Sequence, residues 1–492
     1  MMPDTADNPG RSRVVAALRA LLPVGGLLTE EAERRPYECD GLSAYRRLPW
    51  LVALPETVEQ VQAVVRCCRD HGVPVVARGA GTGLSGGALP LEDGVLLCLA
   101  KFNRILDIDP ANRLATVEPG VRNLAISEAA AEHGLYYAPD PSSQIACSIG
   151  GNVAENAGGV HCLKYGLTVH NITQLKVITI DGELLTIGGR GLDSPGYDLL
   201  ALMTGSEGLL GIIVEITVRL LPVPDYAQVL LASFDSIEKA GDAVADIISA
   251  GVLPAGLEMM DSLATRAAED FVHAGYPPDA AAILLCELDG TRADVEAQLQ
   301  RVDDVVRRAG ASEVRIARDE QERRRLWAGR KAAFPAIGRL SPDYYCMDGT
   351  IPRKHLGRVL ATIGRWSEEY GLTVANVFHA GDGNLHPLIL YDANTPGELE
   401  RTEEFGGRIL ELCIAAGGTI TGEHGVGMEK INQMCVQFSE QELNQFHAIK
   451  QAFDAEGLLN PGKAIPSLAR CAEFGRMHVH RGELPFPHLE RF

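Results

Sequence analysis

Apolar and polar positions change period several times along this chain, and each change predicts an element. Residues 50–55 (WLVALP) read as a short strand. Thr57 and Gln60 form a capping-box pattern, and Val58, Val61, Val65 and Cys68 then recur at helical spacing up to a stop at Gly72. Residues 73–77 are β-branched and predict a strand running straight into RGAGTGLSGGALP. Further strands are predicted at 95–99, 105–108, 114–118 and 175–180, with a helix over 123–133. The segment 212–221 alternates, with Val214, Ile216, Val218 and Leu220 on one face and Glu215, Thr217 and Arg219 on the other. Pro222-Val223-Pro224-Asp225 then breaks the chain and sets the main boundary. Beyond it, a helix (235–250), a strand (282–288), a helix (291–308) and a strand (313–317) predict an α+β sheet domain. Mostly helical segments are expected to follow, interrupted by glycine-rich turns at 379–386 and 417–427. No internal repeat is found.

Composition narrows the class. A hydrophobic content of 46% over 492 residues supports a large core and excludes a disordered chain. The formal charge is −20, and no run of five Lys or Arg occurs, which argues against nucleic acid as a partner. The eleven cysteines are scattered from Cys39 to Cys471, with no CxxC spacing and one close pair, Cys67-Cys68. A resident iron–sulfur cluster or cysteine zinc site is therefore not expected, nor are disulfide staples, and a reducing compartment is. Arg19 and Pro23 interrupt the N-terminal segment, so no signal peptide is read, and no apolar stretch reaches 18 residues. The expected location is cytoplasmic. Glycine, at 52 residues, is about half again its usual share, and it is clustered rather than periodic.

The clusters fall in loops suited to ligands. Gly81-x-Gly83-x-x-Gly86 follows a strand, as in a dinucleotide fingerprint, but runs into Pro90 and another strand with no room for the helix that a Rossmann loop must open. Its backbone N–H groups can still form an anion-binding nest. PDPSSQIACSIGGNVAENAGG (139–159) offers small residues for a flat ring and carboxamides for its polar edge. A third cluster, TGSEGLLGI, joins the alternating strand.

In this order the three clusters resemble the FAD-binding domain of the vanillyl-alcohol-oxidase/PCMH flavoproteins, and residues 225–465 resemble the C-terminal domain of the FAD-linked 2-hydroxyacid oxidases. The resemblance covers nearly the whole chain. It implies an α+β architecture: an N-terminal segment (1–45), a PCMH-type split FAD-binding domain (46–224), an FAD-linked oxidase C-terminal domain of cap plus helical parts (225–466) and a tail (467–492). It implies FAD, with pyrophosphate held by Arg78, Gly79, Ala80, Gly81, Thr82 and Gly83, next to Ser85. Ring contacts are implied for Pro139, Ser143, Gly150, Gly151 and Asn156 and for Asn460 in LNPGK, and cofactor binding for Glu207 and Ile213 of the third cluster.

His379-Ala-Gly-Asp-Gly-Asn-Leu-His386 places two imidazoles on either side of a turn that folds its flanks together, and Glu423-His424 adds a carboxylate and a third imidazole on another glycine turn. Two His and a carboxylate suit a divalent metal with open positions, of the Zn, Mn or Fe class. Neighbours in extended chain point opposite ways, so Glu423 and His424 divide the roles of ligand and base. The resemblance assigns His379, His386 and Glu423 as ligands and His424 as base. Arg330 sits near a run of arginines (323–325) that reads as a solvated helix face, but the Trp-x-x-Arg pattern of the family marks it as the substrate-carboxylate clamp. Relatives that take a dicarboxylate carry Thr four residues after that Arg and Lys two before a downstream Asp. Here Phe334 and Cys346 stand at those positions, which favours a small monocarboxylate.

The expected activity is FAD-linked oxidation of a small anionic 2-hydroxy acid, glycolate first. Electrons are expected to reach an iron–sulfur partner subunit and a further acceptor, the complex lying in the cytoplasm or peripherally at the cytoplasmic face of the inner membrane. The alternatives are a D-lactate dehydrogenase of the same family, a metal-dependent hydrolase that leaves the glycine loops unused, and a non-catalytic flavin-binding subunit. The tail histidines His478, His480 and His488 suggest a docking segment for the partner.

Overall fold

Thr57 caps the helix Val58–Asp70, its side chain accepting from the Gln60 N–H at 3.3 Å. The helix buries Val61, Val64, Val65 and Cys68 against Leu51, Val75, Val95 and Leu97. It is the crossover that parallel strands require. Leu51–Ala53 and Val75–Arg78 both pair in parallel with Val95–Cys98, and Leu27–Leu28 completes this sheet. These elements come from a computed structural model that describes residues 9–191, 196–467 and 470–471. The tail histidines named above lie outside the described residues.

A five-stranded antiparallel sheet follows, in the order Ile105–Asp109, Leu114–Val117, Ile212–Arg219, Ile172–Ile178, Leu184–Gly188. Its central strand departs from the simple alternation expected of it. A register shift between Ile213 and Glu215 moves the faces, so Ile212 and Val214 serve one core while Ile213, Ile216 and Val218 serve another. One strand thereby stitches two cores together.

After residue 225 the chain builds a seven-stranded antiparallel sheet, in the order Glu313–Ile316, Tyr226–Phe234, Ala282–Gly290, Gly256–Asp261, Val374–Phe378, Pro387–Tyr391, Asp343–Cys346. Helices predominate beyond residue 317, as expected, but the last three of these strands stand among them and were not expected. Pro387–Tyr391 is buried at every position and Val374–Phe378 at all but the first, so neither carries the period-two signal of a half-exposed strand. The helices Ile237–Ser249, Arg292–Arg308 and Leu356–Tyr370 contribute to the core on one side of the sheet, and Ser262–Val272 and Glu320–Lys331 to a separate one.

The end of the chain returns to its beginning. Leu459 bridges Val75, the Asn460 N–H donates to the Val75 carbonyl at 2.8 Å, and the Lys463 ammonium donates to the carbonyls of Gly87 and Leu89. Cys435 and Cys471 are disulfide-bonded, which corrects the expectation of no staples; nine other cysteines are free. Among the described residues no helix is long and apolar enough to cross a membrane.

Candidate active site

One cavity of ≈ 380 Å³ joins the glycine loops to the histidine turns. The loop after Val75–Arg78 forms one wall, and Arg78, Gly79, Ala80, Gly81, Thr82 and Gly83 all line it. Gly79 and Gly81 are required sterically. A side chain on Gly79 would meet the Ser148 hydroxyl, and Gly81 holds φ +72 with the Arg78 guanidinium folded against it. Arg78 is anchored through Nη1 to the Cys39 carbonyl at 2.7 Å, so a fixed cation backs the loop. Ser143, Gly150, Gly151, Glu207 and Ile213 line the same cavity.

Four residues expected at the cofactor stand behind this wall instead of lining it. The Ser85 carbonyl accepts from Met428 N and Glu429 N, and the Pro139 carbonyl accepts from Asn123 Nδ2. Asn156 turns the chain at φ +54 and accepts from Val169 N, while Asn460 Nδ2 donates to the carbonyls of Gly87 and Glu207. They hold the loops in place.

At the other end stand His386, Glu423 and His424, with Phe334, Pro335 and Lys331 beside them. His379 follows the strand Val374–Phe378 and His386 precedes its antiparallel neighbour Pro387–Tyr391, so the turn brings the two rings to 5.1 Å. Glu423 Oε1 lies 2.9 Å from His386 Nε2 and 3.2 Å from His379 Nε2. Each imidazole is fixed from behind. His379 Nδ1 faces Glu258 Oε1 at 2.9 Å, and His386 Nδ1 faces the Met347 carbonyl at 3.2 Å. With Nδ1–H donating in both, the two Nε2 lone pairs point at the same place, which is how metal-binding imidazoles are oriented. The ligand atoms of His379, His386 and Glu423 lie within 4.8 Å of one another, and Glu423 Oε2 is buried without a partner. Burial opposes every charge here. His379 nevertheless holds Glu423 well below the usual carboxylate range, and His386, hydrogen-bonded to Cys346 and Glu423, is raised to about 10. A divalent ion would take the place of the protons on the two imidazole Nε2 atoms and supply their two positive charges from one centre. The set fits a metal. Cys346, His386 and His424 form a second, softer trio that shares His386.

His424 stacks on His386 at 4.9 Å, and burial lowers it to about 4, so its imidazole is neutral at physiological pH. Its backbone is set by Asp348, fully buried, which accepts from the N–H of Gly422 (3.1 Å), Glu423 (3.2 Å) and His424 (2.9 Å) and from the Thr421 hydroxyl. Sequence reading assigned Asp348 no role beyond a landmark and passed over Glu258 altogether. The available signal for Glu258 was a carboxylate between apolar residues in GLEMMD, whose other carboxylate, Asp261, caps the next helix. Arg330 is fully buried with Nη2 2.6 Å from Glu258 Oε2, but the approach lacks hydrogen-bond geometry, and its Nε and Nη2 have no hydrogen-bond partner. Arg330 does not line the cavity. Lys331, its neighbour, does.

Comparison with known proteins identifies the family. Residues 49–188 match the model of an FAD binding domain, and residues 223–464 match that of the FAD linked oxidases, C-terminal domain. The chain is 68% identical over 482 residues, 98% of its length and 97% of the relative's, to glycolate oxidase subunit GlcD of Escherichia coli (strain K12). The chain belongs to the FAD-linked oxidase family. A more distant member, the probable mitochondrial D-lactate dehydrogenase of Danio rerio, is 31% identical over 94% of this chain and 93% of its own. The fold is shared with p-cresol methylhydroxylase, at a TM-score of 0.78 and 20% identity over 95% of this chain and 99% of that one. As a family member the protein is an FAD-dependent oxidoreductase of the PCMH-type fold.

Proposed function

We propose that this enzyme oxidises glycolate to glyoxylate, with D-lactate the nearest competing substrate. The carrying observation is that the base His424 and the Glu423 carboxylate face the same cavity as the glycine loops. FAD, when bound along those loops, supplies the acceptor for a hydride from the substrate α-carbon. A divalent ion of the Zn, Mn or Fe class, held by His379, His386 and Glu423, supplies Lewis acidity toward the 2-hydroxyl.

The remaining work belongs to side chains. His424 Nδ1 is shut off from solvent, so Nε2, on the side of Glu423, takes the hydroxyl proton. Lys331, at the cavity wall, supplies positive charge for the carboxylate, with the Arg330 guanidinium buried behind it against Glu258, in a protein whose net charge is −20. Phe334 lines the cavity 6.3 Å from the His386 ring and leaves no second cation for a dicarboxylate. The described cysteines form no cluster-ligand set of their own, so electrons leave through an iron–sulfur partner subunit, in a cytoplasmic complex with peripheral membrane contact. The GlcD relative, itself named a subunit, supports the complex.

Anaerobic addition of glycolate to the FAD-loaded protein is expected to bleach the flavin band, with D-lactate slower. Bleaching by D-lactate alone replaces glycolate as substrate, and bleaching by neither overturns the assignment.

A further inference from the structure

Glu155 ends the helix Ile149–Glu155 and lines the cavity, yet its chemistry is unused by the reaction above. Its carboxyl is wedged between two glycines from distant parts of the chain. A methyl group built on Gly87 would lie 2.6 Å from Oε1, and one on Gly425 would collide with Oε2. Both glycines belong to functional loops, Gly87 to the first glycine cluster and Gly425 to the turn that carries Glu423 and His424. The contacts place Glu155 beside the residue following the base. Hydride leaves the same carbon whose hydroxyl His424 deprotonates, so the accepting ring must lie against this part of the wall.

Oε2 of Glu155 is buried without a hydrogen-bond partner. The neighbouring Glu207 differs in this respect: its two oxygens accept from Val426 N and Gly427 N, each at 2.7 Å. Asp40, Lys430 and Lys463 are the other charged groups around the pair. Burial first, and the charge of Glu207 second, push Glu155 well above the usual carboxylate range. Burial raises Glu207 as well, but its two backbone N–H donors pull it back, and Glu155 has no such donor on Oε2, so the pair divides with Glu207 as the acceptor and Glu155 as the acid that retains its proton. A buried acid without a partner is costly unless a ligand completes it.

We propose that Glu155 contacts the cofactor: its neutral carboxyl donates a hydrogen bond to the polar edge of the flavin ring and stabilises the reduced form. Reduction adds electron density to that edge, and a fixed donor in a water-poor site favours the state with more negative charge. No proton or electron is transferred by Glu155 itself. This inference rests on FAD occupying the cavity as proposed above.

The test is spectroelectrochemistry of the FAD-loaded wild type, E155Q and E155M. E155Q keeps an N–H donor and is expected to hold the reduced-to-oxidised ratio within about threefold of wild type. E155M removes the donor and is expected to lower that ratio at least tenfold at fixed potential, about 30 mV for a two-electron couple. An unchanged or higher ratio in E155M overturns the proposal. Reduced-minus-oxidised infrared difference spectra give a second reading that needs only wild type and E155Q. A protonated-carboxyl band should shift on flavin reduction in wild type and be missing in E155Q, and its absence from wild type overturns the proposal. A wild-type chain that takes up no FAD fails earlier, on the cofactor reading itself.

Discussion

Glu258 serves two cations at once, taking the Nδ1 side of His379 with one oxygen and the Arg330 guanidinium with the other. It is fully buried and held below the ordinary carboxylate range, since the charges of His379 and Arg330 outweigh the burial that opposes its own. Glu258→Gln keeps the volume and removes the charge. Metal titration of the variant is expected to show a 10–100-fold loss of affinity, the usual effect of removing an outer-shell partner, and denaturant unfolding a loss of about 3 kcal/mol from the stranded Arg330. Unchanged metal affinity would mean His379 is oriented by something else. At this scale the sequence was readable where residue types announce themselves. The His/Glu set stood out by grouping, whereas Glu258, 121 residues from His379, was visible only once the sheet placed Gly256–Asp261 beside Val374–Phe378. Arg330 shows the opposite limit, since its motif gave its type but not that it turns to Glu258 with Lys331 at the cavity wall.

The turn Glu423–Gly427 is held from two sides, by Asp348 beneath the N–H groups of residues 422–424 and by Glu207 on those of Val426 and Gly427. Gly425 between them sits at φ +78, where any side chain is strained and would also strike Glu155. Gly425→Ala is expected to cost about 1–3 kcal/mol from backbone strain alone and more through the collision, with FAD uptake impaired. Gly371→Ala is the control, at φ +62 with open space around it. Thermal unfolding should show the first variant distinctly less stable than the second, and equal losses would show that packing against Glu155 is not what requires glycine. Elements with a clear period or cap, such as Val58–Asp70, were legible in sequence. Val374–Phe378 and Pro387–Tyr391 were not, because short strands buried on both faces carry no alternation to read, and Asp343–Cys346 is an edge strand of only four residues.

Across the whole molecule, His161 joins the FAD-binding part to the later sheet, with Nδ1 2.8 Å from Asp140 and Nε2 3.3 Å from Glu287. Burial disfavours its charge, but Asp140 and Glu287 together raise it well above its usual range. A raised folded-state value means that the stabilisation is complete below the unfolded value, about 6.5, and is lost as pH climbs toward the folded one. The stability gap between wild type and His161→Gln should therefore be widest near pH 6 and shrink by up to about 1.4 kcal/mol per pH unit above it. Urea unfolding at pH 6 and pH 9 reads this directly, and a constant gap would mean His161 is uncharged in the folded protein. The family resemblance conveyed the order of the parts. It did not convey how they are clasped, because ion pairs such as His161–Glu287, 126 residues apart, leave no local pattern.

The return of residues 459–463 to Val75, Gly87 and Leu89 has a consequence for biosynthesis. The first glycine loop is made early, but the strand-like rung and buried lysine that brace it lie 373–376 residues further along the chain. Synthesis outpaces the completion of this wall, since domains fold as their residues emerge. A chain stopping short of Leu459 therefore keeps every glycine of that loop while lacking the brace behind them.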